Sequence, residues 1–412
     1  MIAFHFPPMS VSSGYLRPFR FAQFLRADHE WQPQILTVDP AIYPRTDEKH
    51  DAWIKQNLSV ERTTAIDTQK HLSFHGRYFE FMAVPDQWIL WYPFALMRAY
   101  KMIRRQRPDI IWSTCPIATT NLVAATLSRF FSIPWVADFR DPMTLQNYPQ
   151  GKMRWRVTRW VERITVNRAR WLCFTAEYTR QQYVQRYDKL EQKSSVIPNG
   201  FDELDSMPDA QPATTDLLTL LHAGALFPDG RHPKTLFQAL RSLLDENFAL
   251  ADRIRIKLRA AGHMIEYQAI VDSLGLSSQV ELLPAASYTD VRKEMLAADG
   301  LLLFQGAVYD HAVPAKLYEY LVSMKPILGL ITENGEVSAQ FAKLGIPYKS
   351  EINSADSVKA MLIRFIKDHQ RDELYVVEER VVKMFSRRAQ TNHLNDLLSS
   401  IIAEDRELSI SE

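Results

Sequence analysis

Residues 313–330, VPAKLYEYLVSMKPILGL, constrain the fold more than any other stretch of the chain. They follow the apolar run LLLFQ at 301–305 and a loop at 306–312, and they end in a second apolar run at 327–330. Proline is tolerated in the first turn of a helix, so a helix opening at Pro314 is expected between two buried strands. The pattern reads as one βαβ unit. In open α/β sheets ligands collect beyond the carboxyl ends of the strands, where helix N-termini offer unpaired N–H groups to phosphate. Lys316 falls in the first turn and Glu319 one turn later on the same face, whereas Leu317, Leu321 and Met324 point toward a core. A cation for phosphate and a carboxylate for a ribose diol would then share one stripe. The same spacing also fits a solvated i,i+3 pair contributing a few tenths of a kcal/mol.

At 412 residues the chain exceeds one ordinary core and suits two domains. An apolar fraction of 46% and a charged fraction of 24% are those of a soluble globular protein. No apolar run reaches membrane-spanning length, and a strand-like run at 2–6 leaves no room for a signal peptide, so a cytoplasmic protein is expected. Cys115 and Cys173 lack metal-like spacing and read as reduced core thiols. The net charge of +1 conceals an asymmetry, because residues 1–200 hold 27 Lys+Arg against 17 Asp+Glu and residues 201–412 hold 22 against 31. A basic first half suggests an anionic partner such as membrane lipid or a phosphate-bearing acceptor. Nucleic acid is disfavoured, since the sequence has no recognised binding motif and its pI is about 7.8.

In chain order, a strand at 2–6 precedes Pro7-Pro8, a loop ending at Gly14 and a helix at 16–25 that contains Arg17. A strand at 34–38 follows, and then loop with scattered structure at 39–69. Residues 79–109 are dense first in aromatics and then in Arg and Lys, which suits either a shallow membrane-surface segment or a core-packed helix with a wet basic face. Residues 152–170 place Trp155, Val157, Trp160, Val161 and Ile164 on one helical side and arginines on the rest, again allowing membrane contact. The strand at 134–139 ends in Asp138-Phe139-Arg140-Asp141, where Arg140 and Asp141 can also be a structural ion pair. SVIPNGFD at 195–202 is a strand and turn, and Asn199-Gly200 tolerates positive φ. A polar segment with Pro208 and Pro212 then reads as a linker. Domain boundaries are expected at 1–203, joined by a C-terminal helix at 386–412, with a linker at 204–216 and a second domain at 217–385. In that second domain GALFPDGRHPKTLFQAL at 224–240 forms a glycine loop and helix, residues 372–384 read as a helix, and no internal repeat is present.

The run P-A-K-L-Y-E-Y-L-x(3)-K-P-I-L-G, together with DFRD and SVIPNGFD, resembles family-4 retaining glycosyltransferases of the bacterial surface-polysaccharide type. That resemblance implies a GT-B fold: two Rossmann-like α/β domains facing a cleft, with the C-terminal helix crossing back to the first. It implies transfer of a sugar from a nucleotide-sugar donor to a glycan acceptor, lipid-linked by expectation, with retention of configuration and with neither cofactor nor metal. It places Arg231, Lys316 and Arg140 in catalytic roles. It puts Gly14, Gly224, Lys234, Asp310, His311, Pro314 and Glu319 around the donor, and Arg17, Asp138, Asp141 and Asn199 around the acceptor. Two positions depart from the pattern, Ala225 standing where relatives have Arg and His311 where they have the first Glu of E-x(7)-E, with Asp310 the nearest acid. The rival readings are a nucleotide-sugar 2-epimerase and a non-catalytic nucleotide-sugar-binding subunit. Peripheral contact with the inner face of an anionic membrane is compatible with the basic first half.

Overall fold

The structure is a computed structural model that describes residues 1–10, 13–71, 80–145, 148–202 and 217–411. It divides into two compact units, one of residues 1–199 with 387–412 and one of residues 200–386. The expected linker at 204–216 lies outside the described residues.

In the first unit, helix α1 (Leu16–Asp28) leads to strand β1 (Gln34–Val38), helix α2 (Asp51–Asn57), strand β2 (Ser59–Thr63) and the short helix α3 (Thr68–His71). Helix α4 (Trp91–Arg105), β3 (Ile111–Thr114), α5 (Ala118–Phe131), β4 (Trp135–Phe139), α6 (Lys152–Arg168), β5 (Trp171–Phe174), α7 (Glu177–Arg186) and β6 (Ser194–Val196) follow. All strand pairs are parallel, β2 on β1 and β3-β4-β5-β6 in sequence. The expected first strand at 2–6 is reduced to a single bridging residue. Ile2 pairs with both Leu36 of β1 and Ser113 of β3 and so joins the two sheet pieces. Pro7 and Pro8 have no N–H to donate, which limits further pairing. Strand β2 falls in a region expected to be loop, because SVERT is polar and forms a half-buried edge.

The second unit runs β7 (Leu218–Ala223), α8 (Lys234–Asp245), β8 (Ile254–Arg259), α9 (Met264–Ser273), β9 (Val280–Leu283), α10 (Tyr288–Ala297) and β10 (Gly300–Gln305). It continues with α11 (Ala315–Val322), β11 (Ile327–Ile331), α12 (Glu336–Leu344), β12 (Lys349–Glu351), α13 (Ala355–Gln370) and α14 (Glu379–Lys383). Its sheet is parallel in the order β12-β11-β10-β7-β8-β9, the doubly wound order of a dinucleotide-binding domain, with the winding reversing between β7 and β10. The βαβ unit of β10, α11 and β11 is present, with Leu301 to Gln305 paired residue by residue with Ile327 to Ile331. The expected helix at 372–384 shrinks to α14. Asp372 takes φ +57°, and the Tyr375 N–H donates to the Tyr348 hydroxyl at 3.1 Å rather than to a helical carbonyl.

The last helix, α15 (Arg387–Ser411), belongs to the first unit and packs on α1. Leu394, Leu398 and Ile401 join Phe21, Leu25 and Trp112 in one buried cluster, and Trp31 donates to Asn395 at 2.9 Å. One expected face needs correction. On α6 the buried residues are Thr158, Val161, Glu162, Thr165 and Val166, and Trp160 is 56% exposed. Glu162 turns inward because the Thr144, Tyr183 and Tyr187 hydroxyls and the Arg159 and Arg186 guanidiniums all donate to its carboxylate. Near α4, Trp88 and Trp91 pack against Phe4, so this helix is core-packed with a wet basic face.

Candidate functional site

In the second unit the loops after β7 and β10 flank the point where the winding reverses, the position at which doubly wound sheets take their ligands. Beyond Ala223 the chain turns at Gly224, whose φ of +118° is one that L side chains rarely adopt. The Ala223 N–H donates to the Tyr320 hydroxyl at 3.1 Å, and that fully buried tyrosine fastens α11 to the end of β7. Lys316 is thereby laid across Gly224, so closely that a Cβ there would lie 2.6 Å from the lysine Cε.

The turn at 227–231 closes with the Arg231 N–H on the Phe227 carbonyl at 3.1 Å. The Arg231 guanidinium donates to the Gln305 side-chain oxygen at 2.7 Å and lies 4.2 Å from the Tyr309 ring centroid. Gln305 ends β10 with 2% exposure, and its amide donates to the carbonyls of Tyr309 at 2.9 Å and Ala312 at 3.0 Å. One buried amide thus fixes both the guanidinium and the loop that precedes α11.

Two cations therefore meet in a largely dry corner. Burial lowers the pKa of Arg231, and burial followed by the charge of Arg231 lowers that of Lys316, with Glu319 opposing the shift. Beneath them His222 is pushed down to about 3 by burial and by Lys316, so it is neutral and its Nδ1–H donates to the Leu302 carbonyl at 2.8 Å. Among the described residues neither Arg231 nor Lys316 has a carboxylate within ion-pairing distance, and the Arg231 Nε is buried without a partner. Desolvated like charges beside the N-terminus of α11 form an environment that an anion with two adjacent charged groups would relieve.

The other expected donor residues are placed as follows. Pro314 caps α11, and Glu319 lies one turn after Lys316, acting electrostatically on Lys316 and on Tyr288 of α10. Asp310 accepts from the Thr332 hydroxyl, and its carbonyl takes the Glu336 N–H at 2.9 Å, so its carboxylate braces the loop after β11. His311 is half-buried in the loop between β10 and α11, and Lys234 is exposed at the first residue of α8.

In the first unit Arg17 and Asp138, expected to meet an acceptor, instead form a buried ion pair 2.7 Å apart, at 3% and 0% exposure. Arg17 also donates to the carbonyls of Ile197 and Pro198 at 2.9 Å each, and Asp138 accepts from the Thr114 hydroxyl at 2.8 Å. These contacts hold α1, β4 and the loop bearing Asn199 together. Arg140 donates to the Gly14 carbonyl at 2.7 Å and to Asp141 at 3.1 Å, and it approaches Gly14 so closely that a Cβ there would lie 3.1 Å from its Cζ. His5, lowered to about 4 by burial and then by Arg140, shares a small recess with Gly14, Thr114, Ile117 and Arg140.

Gln305, Tyr309, Tyr320, His222 and His5 were not among the expected residues. Gln305 carried a signal, being the one polar residue that closes an otherwise apolar strand. The others are visible only once the strands are assembled.

No group of three or more His, Cys, Asp or Glu side chains suited to a metal occurs among the described residues, and no helix there is long and apolar enough to cross a membrane. Residues 65–203, less than half of the chain, match the family model of Glycosyltransferase Family 4. No curated protein sequence is significantly similar to this chain. Similar solved structures include the HepE protein of Anabaena in complex with UDP, with a TM-score of 0.63 at 15% identity over 97% of this chain and 99% of that one. The lipopolysaccharide outer core galactosyltransferase WaaB in its apo form matches with a TM-score of 0.61 at 16% identity, over 97% and 99% of the two chains. A UDP-N-acetylglucosamine 2-epimerase matches with a TM-score of 0.51 at 12% identity, over 95% and 92%. At such identities the likeness establishes the fold, an α/β chain of two parallel-sheet domains of the GT-B kind.

Proposed function

We propose that the chain transfers a sugar from a nucleotide-sugar donor to a glycan acceptor, lipid-linked in our reading, with retention at the anomeric carbon. The observation that carries the proposal is the pair of desolvated cations Arg231 and Lys316 at the winding reversal of the second sheet. The donor's diphosphate would lie between them and the N-terminus of α11, close to the backbone of Gly224, and Glu319 would hold the ribose. In the reaction the bond from the anomeric carbon to the diphosphate oxygen breaks and one to an acceptor hydroxyl forms, releasing the nucleoside diphosphate and the hydroxyl's proton. Charge grows on the departing oxygen, where Arg231 and Lys316 would stabilise it, a role commonly contributing about 3–4 kcal/mol per donor. Neither step draws on a cofactor or metal in this reading. Retention and the glycan acceptor rest on the motif resemblance, and Arg140 and Asp141 with the Gly14 loop are the acceptor-side groups we assign.

The test is a panel of nucleotide sugars screened for thermal stabilisation, followed by turnover of the best donor. A ligand bound by the native state alone raises apparent stability with its affinity. Glu319→Ala and Arg231→Ala are expected to cripple transfer while leaving the circular dichroism spectrum unchanged, and wild-type turnover in both would remove the site assignment. The likeness to a 2-epimerase supports a second reading, in which incubation with donor alone would yield an epimer without any acceptor. Tight donor binding with neither transfer nor epimerisation would favour a binding subunit.

A further inference from the structure

Helix α4 and the end of α5 meet at a corner of the first unit where two aromatic rings, Tyr100 and Phe130, are left outside and a third, Phe131, is partly buried against the core. Tyr100 lies 6.2 Å from Phe130 and 5.6 Å from Phe131, and the two phenylalanine rings are 4.9 Å apart, centroid to centroid. Phe130 is 70% exposed, Tyr100 46%, and Met97, three residues before Tyr100, 59%. The inward side of α4, with Ala95, Ala99, Met102 and Ile103, is already buried with Phe131 packed against the same core, so the outer rings of Tyr100 and Phe130 complete no core of this unit. Single exposed aromatics are ordinary, but a contiguous cluster is a contact surface awaiting a partner.

The surrounding charge says which partner. Residues 98–107 include Arg98, Lys101, Arg104, Arg105 and Arg107 and no acid, and Arg129 precedes the two phenylalanines on α5. Glu61 of β2 accepts from Arg98 and Arg105, and Arg107 donates to the Ser132 carbonyl. Lys101, Arg104 and Arg129 are exposed, with no acidic partner among the described residues. Apolar rings bordered by free cations are complementary to a layered partner that is apolar inside and anionic at its surface.

We propose that this corner seats on an anionic lipid surface, with Met97, Tyr100 and Phe130 entering the boundary between head groups and acyl chains and with Lys101, Arg104 and Arg129 against the phosphates. The proposal deepens the reading above by naming the surface from which a lipid-linked acceptor would be reached, and it rests on that reading only for the acceptor's identity.

Co-sedimentation of the full chain with phosphatidylcholine vesicles, with and without phosphatidylglycerol, tests it. Binding is expected only with the anionic lipid and is expected to fall as salt is raised. Tyr100→Ser with Phe130→Ser should weaken it by about tenfold or more. Lys101→Gln with Arg104→Gln and Arg129→Gln should weaken it by roughly a hundredfold. Both variants should keep the wild-type melting temperature and any stabilisation by UDP. The proposal is overturned if the wild type ignores anionic vesicles, if either variant binds them as the wild type does, or if the wild type is a dimer that the double serine variant splits. Stabilisation by UDP without vesicle binding would sink this proposal alone, and vesicle binding without any nucleotide effect would sink the donor reading alone.

Discussion

Arg17 in the first unit and Arg231 in the second are both largely buried arginines near the carboxyl end of a parallel sheet, yet their surroundings are opposite. Arg17 has a carboxylate, Asp138, and two carbonyls, so its donors are consumed inside the protein. Arg231 has a neutral amide and an aromatic ring for company and a second cation nearby. A buried charge with a full set of partners holds a fold together, whereas one facing a like charge marks a place for something that is not part of the chain.

This contrast breaks most readily at the first pair. Asp138→Ala would leave Arg17 buried without its counter-charge, which should cost about 3–5 kcal/mol and lower the melting temperature more than any other change named here. Thermal unfolding checks it, and a melting temperature within a degree or two of wild type would mean that the pair is not structural. Arg231→Ala should do the reverse, with little effect on melting and a fall of about a hundredfold to a thousandfold in kcat for transfer. A loss of stability with turnover intact would exchange the two roles.

The next effect is set by pH. His222 accepts a proton near 6.5 in the unfolded chain but only near 3 in the fold. Below 6.5 the unfolded chain therefore binds more protons, and stability declines as pH falls toward 3, by about 2 kcal/mol at about pH 5. His5, at about 4 in the fold, adds a smaller decline of the same sign. Melting curves across this range should flatten in His222→Asn, and an unchanged slope would show that the imidazole is not held neutral. The smallest effect is the most discriminating. Lys316→Met relieves the repulsion with Arg231, so the unliganded melting temperature should not fall, while stabilisation by UDP should disappear.

The βαβ unit at 301–331 was legible because two continuous apolar runs and a proline-opened amphipathic helix leave little alternative. That Lys316 stands in the first turn of the helix after β10 was legible from helical periodicity and the opening proline. That it lies over Gly224 was not, because the contact depends on Tyr320 reaching the end of β7, an event of tertiary assembly. The pairing of Arg17 with Asp138 was hidden for the same reason. They stand 121 residues apart, and nothing local to either shows that each satisfies the other. Glu162 was missed as a buried residue because a carboxylate among arginines reads as solvent-facing until two tyrosines and a threonine arrive from other segments. Strand β2 escaped because a polar edge strand carries no clear alternation.

The central claim is that Lys316, kept by burial and by Arg231 below its ordinary proton affinity, is completed by a diphosphate. Calorimetric titration of the wild type and of Lys316→Met with UDP at about pH 8, in two buffers of different ionisation enthalpy, measures this directly, since there the diphosphate is almost fully ionised and the uracil ring keeps its proton. We predict proton uptake on binding by the wild type and neither uptake nor wild-type affinity in the variant. Equal affinity for UDP in both proteins, with no proton taken up by either, would contradict the account.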